Sequence, residues 1–562
     1  MSGSDDIDSV TLEVIRNAFA TIAEEMSANL VRSSYSPNIK ERKDASSAVF
    51  DPGGRMLAQA ENVPVHLGAM PHSVRACIQA YSKDDLNPGD TIIHNTPFQG
   101  GAHLPDITFV SPVFSGNDLI AFVANRAHHA DVGGARAGSV SADTTSIFEE
   151  GIQIPPIRLF EGGGRNENVF DLVVENVRTP EERAGDLRAQ QAANETGIRR
   201  FSSVLDRHGE ETVRRTMEAV QEYSEDRMRA AIRDLPDGEY GYTDVMDGDG
   251  TGLKNVQISV EVGIEDDEIT VDFSGSDPQV PGPINAPMAV TTSAAYYTIR
   301  TVTDPTIPPN HGCYRPIAVE APEGSVLNAE KPAAVVGGNL EVSQRIVDTI
   351  LGAMAEADVD DVVAAANGSM NNVTIGGYRD DVGTPYTFYE TIGGGYGARP
   401  GKDGVDGIHA HMTNTKNTPV EAIESSYPLR VDRYELRPDT GGAGTYRGGL
   451  GIRRDLVVLD PGAEFSLLSD RRRHQPYGLD GGEPGAPGAD VLIREGEEQP
   501  IDAKTTLDLN KGDVLSIRTP GGGGYGPPED RDPDDIESDL RNDRVSEAQV
   551  TENYPWFDRR DE

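Results

Sequence analysis

The chain is poor in several things, and each shortage removes a class of function. It has two cysteines in 562 residues, Cys77 and Cys313. That is too few and too far apart for a disulfide framework or a zinc ribbon built on C-x-x-C pairs, so two reduced, buried thiols are expected. Any metal site must then use His, Asp or Glu. No run of about 18 apolar residues exists, which excludes a membrane-spanning helix. The opening MSGSDDIDSV lacks the basic and apolar regions of a signal peptide, so a cytoplasmic location is expected. Basic charge is scarce too: 93 acidic residues stand against 50 basic ones, for a net charge of −43. Only nine of the basic residues are lysine. Without a basic stripe to neutralise phosphates, nucleic acid is not an expected partner. Acid spread through every segment, with lysine depleted, predicts a surface adapted to high salt, the halophilic condition, in which self-repulsion is screened.

Known catalytic and phosphate-binding motifs are also missing. There is no G-x-S-x-G elbow. Gly393–Gly404 (GGGYGARPGKDG) contains a Gly-Lys pair, but Asp403 follows where a phosphate loop needs Ser or Thr. Thr519–Pro528 (TPGGGGYGPP) runs into prolines and so cannot open a dinucleotide-binding helix. Both read as turns. Cys313, with His311 two residues away, reads as a structural thiol rather than a nucleophile.

What is present predicts a mixed α/β (α+β) chain of several subdomains, since this length exceeds one core. Residues 8–33 place Leu12, Ile15, Phe19, Ile22, Met26 and Leu30 at helical spacing, with Asp8 or Ser9 as cap. Ser46–Phe50 and Met56–Ala60 predict a hairpin across DPGGR, and NVPVHLGAMPHSVRACIQAY is helical in its second half. Pro180–Leu235 reads as helical, 256–273 as a hairpin around EDDE, and Ser343–Ala357 as another helix. The expected division is a mixed α/β portion at 1–240 and a β-rich portion with inserted helices at 241–526. A charged, loosely attached tail at 527–562 carries a short helix near Val545–Tyr554.

The chemical centre is expected in Phe98–Gly134. Six of the eleven histidines fall between His66 and His129, and His103, His128 and His129 share this stretch with Asp106 and Asp131. His103 and Asp106, three apart in a glycine-flanked loop, can chelate one ion. His128 and His129 end an extended run and must point to opposite faces, so one of them is expected to ligate. His103, Asp106 and His128 would give two imidazoles and one carboxylate, leaving positions open as a catalytic site needs. The competing reading is a set of hydrogen-bonding loop residues. Asp131 is either a further catalytic or orienting residue, together with His129, or the cap of the turn into Val132-Gly133-Gly134. Two other polar clusters carry the same ambiguity: the charged RTPEERAGDLRAQ at Arg178–Gln190, and His409, His411 and Thr413, expected on one strand face.

The segments ERKDASSAVFDPGGRMLAQAENVPVHLGAMPHSV, GDTIIHNTPFQGGAHLPDITFVSPVF, RAHHADVGG, NVRTPEERAGDLRAQ, GGNLEVSQRIVD, HAHMTNTKNTPVEAIE and TPGGGGYGPPEDRDP resemble the hydantoinase B/oxoprolinase family almost end to end. They are specific for the family and not for a substrate. The resemblance implies a B-type subunit that works in a hetero-oligomer. An A-type partner of actin/sugar-kinase-like fold would bind ATP and phosphorylate the substrate carbonyl, and this chain would complete the reaction. The implied activity is ATP-dependent hydrolysis of a cyclic amide such as a hydantoin or 5-oxoproline. The alternatives are a subunit of an acetone or acetophenone carboxylase, or a scaffold without catalysis. In the carboxylase relatives an H-x-x-D pair and a later histidine hold a manganese-type ion, and that pattern falls on His103, Asp106 and His128. Mn, Zn and Fe remain open as the ion. His311 and the acidic surface depart from the family pattern.

Overall fold

The computed structural model describes residues 7–60, 63–359, 361–380 and 382–557. Helix α1 (Ser9–Ser33) begins where the Asp8 carboxylate accepts the Val10 and Thr11 amides, and it buries Ile15, Phe19, Ile22, Met26 and Leu30. One turn, α2 (Pro37–Lys40), leads into the hairpin β1 (Ala45–Phe50) and β2 (Met56–Gln59). Helix α3 (Val65–Ala80) begins well before the second half of NVPVHLGAMPHSVRACIQAY, where helix is expected, and has Pro71 inside it. Ala69, Met70, Val74 and Cys77 are buried in the main core, and burial of that stripe outweighs the hydrogen bond that Pro71 removes.

Strands β3 (Thr91–His94), β4 (Asp106–Ser115), β5 (Asp118–His128), β6 (Ile157–Glu161) and β7 (Gly164–Arg165) complete a seven-stranded antiparallel sheet of order β2-β1-β5-β4-β3-β6-β7. Alternation along β4 and β5 sorts the two faces. Val110, Phe122 and Ala124 join α3 in the largest apolar cluster, while Val113, Ala121 and Val123 pack with α1 and its neighbour α5 (Pro180–His208). In sequence, α4 (Glu167–Val174) precedes α5 and α6 (Glu210–Ile232) follows it.

A second sheet, order β11-β10-β9-β8, contains β8 (Gly238–Gly248), β9 (Lys254–Glu265), β10 (Glu268–Asp272) and β11 (Ile317–Glu320). The β9–β10 pair is the expected hairpin, with Ile264 opposite Ile269. Helices α7 (Met288–Val302), α8 (His311–Tyr314) and α9 (Ser343–Glu356) follow. The largest apolar cluster takes Phe122, Val256, Ile346 and Leu468 together, so one core draws on both sides of residue 240.

The remaining strands are β12 (Asn372–Arg379), β13 (Thr384–Thr391), β14 (Leu429–Leu436), β15 (Ile452–Val458), β16 (Ala463–Leu468), β17 (Val491–Arg494), β18 (Glu497–Pro500), β19 (Lys504–Leu509) and β20 (Val514–Arg518). They form two sheets, β13-β12-β16-β19 and β14-β15-β20-β17-β18, around Val373, Phe465, Leu456 and Leu515. Short helix α10 (Val420–Ser426) precedes β14.

Two expectations need correction. His409, His411 and Thr413 lie in irregular chain, with His411 at φ 48°, and do not share a strand face. Residues 527–557 are not loosely attached: α11 (Pro533–Arg541) and α12 (Glu547–Asn553) seat Ile536, Val550 and Tyr554 with Ala443, and Arg531 bonds Asp539 at 2.7 Å; the last five residues of the expected tail lie outside the described residues. Helical spacing on this charged segment left enough apolar contact to dock it.

The glycine-rich segments cross one another at backbone contact. Gly395 donates to Pro520 O, Gly522 to Gly449 O, and Gly449 to Tyr396 O. A Cβ on Gly395 would stand 2.0 Å from Gly449 O. Their amides therefore bind other backbones; apart from a tight turn at 400–401 these segments are irregular chain rather than the turns expected.

Candidate metal centre

The seven-stranded sheet brings the candidate residues together by register. Asp106 opens β4 and His128 closes β5, and the two are direct cross-strand partners, so their side chains leave the same face. His103 sits in the loop just before β4, where its carbonyl accepts the Asp106 amide at 3.1 Å. Asn95 donates to Leu104 O at 2.7 Å and fixes that loop.

Three ligand-capable atoms meet in a nearly equilateral triangle. His103 Nε2 is 3.1 Å from Asp106 Oδ1, His128 Nδ1 is 3.2 Å from the same oxygen, and the two nitrogens are 3.1 Å apart. All three residues are buried. If both imidazoles donate to Asp106, no hydrogen lies on the nitrogen–nitrogen side. Ligands bound at roughly 2.0–2.2 Å and near right angles sit about 3 Å apart, so this donor set fits one divalent ion on a single face. Burial pushes the Asp106 carboxyl up, but the charges and hydrogen bonds of His103, His66 and His128 outweigh it and hold it well below the usual range.

A layer of further residues orients the triangle, and sequence patterns alone do not single these out. His66, on α3, places Nε2 3.3 Å from Asp106 Oδ2 and pairs Nδ1 with Ser46 Oγ at 2.9 Å. Tyr389 stacks on the His128 ring at 4.7 Å. A π-helical turn at Gly338–Val342 precedes α9, the kind of irregular turn often found at functional sites. It sets Asn339 Nδ2 3.3 Å from His103 Nε2 and buries Glu341. Burial pushes Glu341 up to about 7. Its Oε1 accepts Asn372 at 2.8 Å, Asn372 in turn accepts the Tyr389 hydroxyl, and among the described residues Oε2 has no hydrogen-bond partner. Only the family-like segments that contain these residues hint at them, because nothing local links residues 66, 339 and 389 to 103.

Other candidates go elsewhere. His129 leaves the opposite face, as its parity requires, and pairs Nε2 with Gln190 Oε1 on α5 at 2.9 Å. Asp131 accepts the amides of Gly133, Gly138 and Arg178 and pairs with the Arg178 guanidinium at 3.0 Å, so it builds the turn and does not reach the triangle. The charged start of α5 is a buried tie. Asp186 accepts the Tyr35 and Ser36 amides and pairs with Arg183 at 3.0 Å. His409 pairs with Asn417 and His411 lies 3.5 Å from Asp348. Cys313 donates to Asn310 O, and burial pushes its thiol up to about 11, the profile of an inert thiol.

Comparison with known proteins places this arrangement. The family model for hydantoinase B/oxoprolinase matches residues 8–528. An uncharacterized protein of Methanocaldococcus jannaschii is 42 % identical over 98 % of this chain and 96 % of its own. The B-type subunit of a putative D-/L-hydantoinase from a Pseudomonas species is 34 % identical, covering 98 % of this chain and 95 % of that one. The 5-oxoprolinase 1 of Arabidopsis thaliana is 38 % identical over 92 % of this chain, which spans only 42 % of that relative's length. Among solved structures, the ATP-dependent caprolactamase from Pseudomonas jessenii superposes with a TM-score of 0.91 at 30 % identity, covering 98 % and 96 % of the two chains. Acetone carboxylase shares the fold, with a TM-score of 0.89 at 18 % identity over 97 % of this chain and 79 % of that one. By the match over residues 8–528, this chain belongs to the hydantoinase B/oxoprolinase family.

Proposed function

We propose that this chain is the B-type subunit of an ATP-dependent cyclic-amide hydrolase of the hydantoinase/5-oxoprolinase kind. It completes ring opening on a lactam carbonyl that an A-type partner has activated by phosphorylation. The observation that carries the reading is the triangle: His103, Asp106 and His128 would hold one divalent ion, Mn, Zn or Fe. Such an ion supplies Lewis acidity and a lowered water pKa. The chain's own residues do the rest. His66 Nε2 lies 3.3 Å from Asp106 Oδ2, and the Asn339 side chain lies 3.3 Å from His103 Nε2. Glu341 Oε2, raised to about 7, can take up or release a proton near neutrality. The glycine-rich segments engage one another through their amides, which agrees with ATP being bound on the partner.

The test uses purified full-length chain with and without its A-type partner. Metal analysis is expected to find a stoichiometric divalent ion in the wild type and none in His103→Ala. With partner, ATP and lactam, Asp106→Ala is expected to lose more than roughly 100-fold in ring opening, above the loss typical of outer-shell changes. A wild type without metal, together with full activity in Asp106→Ala, would leave a scaffold role. A requirement for bicarbonate would move the chain to the carboxylase reading.

A further inference from the structure

On the α3 side of the first sheet, the row behind the triangle is polar. Arg126 faces Ser46 on one neighbouring strand and Thr108 on the other, and His94 faces Thr108 from the far side. Residues two apart on a strand share a face about 6.7 Å apart. Arg126 and Thr108 therefore stand one row behind His128 and Asp106. Arg126, Thr108 and His94 are all completely buried.

Arg126 is pinned without being satisfied. Its Nε donates to Thr108 Oγ1 at 2.9 Å, and Nη2 donates to Ser73 Oγ at 2.6 Å. Among the described residues, Nη1 has no hydrogen-bond partner, and neither ring nitrogen of His94 has one. The carboxylate that acts on Arg126 is Asp106, whose oxygens already face three imidazoles. A buried guanidinium with an open N–H edge is costly unless an anion meets it. The guanidinium is linked toward the surface through Ser73, whose hydroxyl donates to Gly100 O at 2.8 Å; Gly100 lines two surface pockets of about 720 and 350 Å³ that share His72 and Phe98, and Arg126, Thr108 and His94 line neither.

We propose that Arg126, with His94 across Thr108 from it, recognises an oxyanion, carboxylate or phosphoryl, on the molecule that the triangle acts on. This rests on reading the triangle as the reaction centre. The substrate class is then a small molecule carrying an anionic group beside the reacting carbonyl. An open guanidinium edge suits planar or tetrahedral oxyanions. The buried imidazole adds one N–H donor.

The purified full chain is titrated calorimetrically at fixed ionic strength with acetate and with inorganic phosphate, comparing wild type, Arg126→Met and His94→Phe. Metal content is measured on each. One probe is expected to bind the wild type saturably and to lose at least about tenfold in affinity in both variants while metal content holds. Preference for acetate assigns the anion to a carboxylate, and preference for phosphate assigns it to a phosphoryl group. No saturable binding by the wild type, or equal binding by Arg126→Met, overturns the proposal. If the variants do not fold, wild-type crystals soaked in selenate or bromoacetate decide it: an anomalous peak at Arg126 Nη1 supports the site and its absence refutes it. A wild type that binds the anion through Arg126 but holds no metal would sink the reading of the triangle and leave this site standing.

Discussion

Asp106 gives one oxygen to His103 and His128 and turns the other toward His66, so a single carboxylate organises three imidazoles. Parity along β5 was enough to separate His128 from His129 in the sequence, because alternate residues of a strand must face opposite ways. The distances that make a triangle were not legible there, since they depend on strand pairing. Glu150 is another isolated buried acid. Its Oε1 accepts the Val335 and Val336 amides, Oε2 has no hydrogen-bond partner among the described residues, and burial pushes it up to about 8. Its ordinary value is 4.5, so the folded protein binds a proton that the unfolded chain releases between these values. The contribution of Glu150 to stability is therefore fully present below pH 4.5 and is lost as pH rises toward 8. Glu150→Gln keeps the acceptor and removes the proton. Its stability gain over wild type in denaturant melts should be near zero at pH 4 and grow to a few kcal/mol by about pH 8. A gain independent of pH would refute this.

Elements rather than residues decide how the triangle is presented. β4 and β5 set the register of Asp106 against His128, α3 delivers His66 from above, and the π-helical turn before α9 delivers Asn339 and Glu341. Local pattern identified most of these elements but not their irregularities. Pro71 suggested a later helix start, and no rule of spacing marks Gly338–Val342 as a π turn inside an apparently ordinary helix. The crossing glycine segments are a second element-scale device, since their backbones touch where any Cβ would collide. Gly395→Ala should cost about 3 kcal/mol or more in urea unfolding, at the upper end for overpacked sites, because the facing atoms are backbone and cannot move aside. Gly116→Ala is the control: it has the same change in a positive-φ turn with nothing within 4 Å, and should cost less. Equal losses would refute the packing argument.

At the scale of the molecule, charges of both signs are buried, arginines together with carboxylates. Arginines 42, 126, 183, 345, 454 and 471 are fully buried, and several join ion pairs across distant segments: Arg345 with Asp244 and Asp470, and Arg471 with Asp244 and Asp348. The surface keeps the acid excess, a net −43 over the chain. We expect the melting temperature to rise by several degrees between low salt and molar KCl, where the screening length falls to about 3 Å. A flat or falling trend would refute adaptation to salt. No helix among the described residues is long and apolar enough to cross a membrane. The sequence by itself determined the composition-level exclusions, the amphipathic helices, the β9–β10 hairpin and the family, because these depend on period, residue type and local motif. Spacing and resemblance grouped His103, Asp106 and His128, but tertiary structure alone decided that residues 66, 339 and 389 join them and that Asp131 does not. The reason is physical: convergence comes from antiparallel register and from helices packed on one face, and both are set by long-range burial that no window of sequence contains.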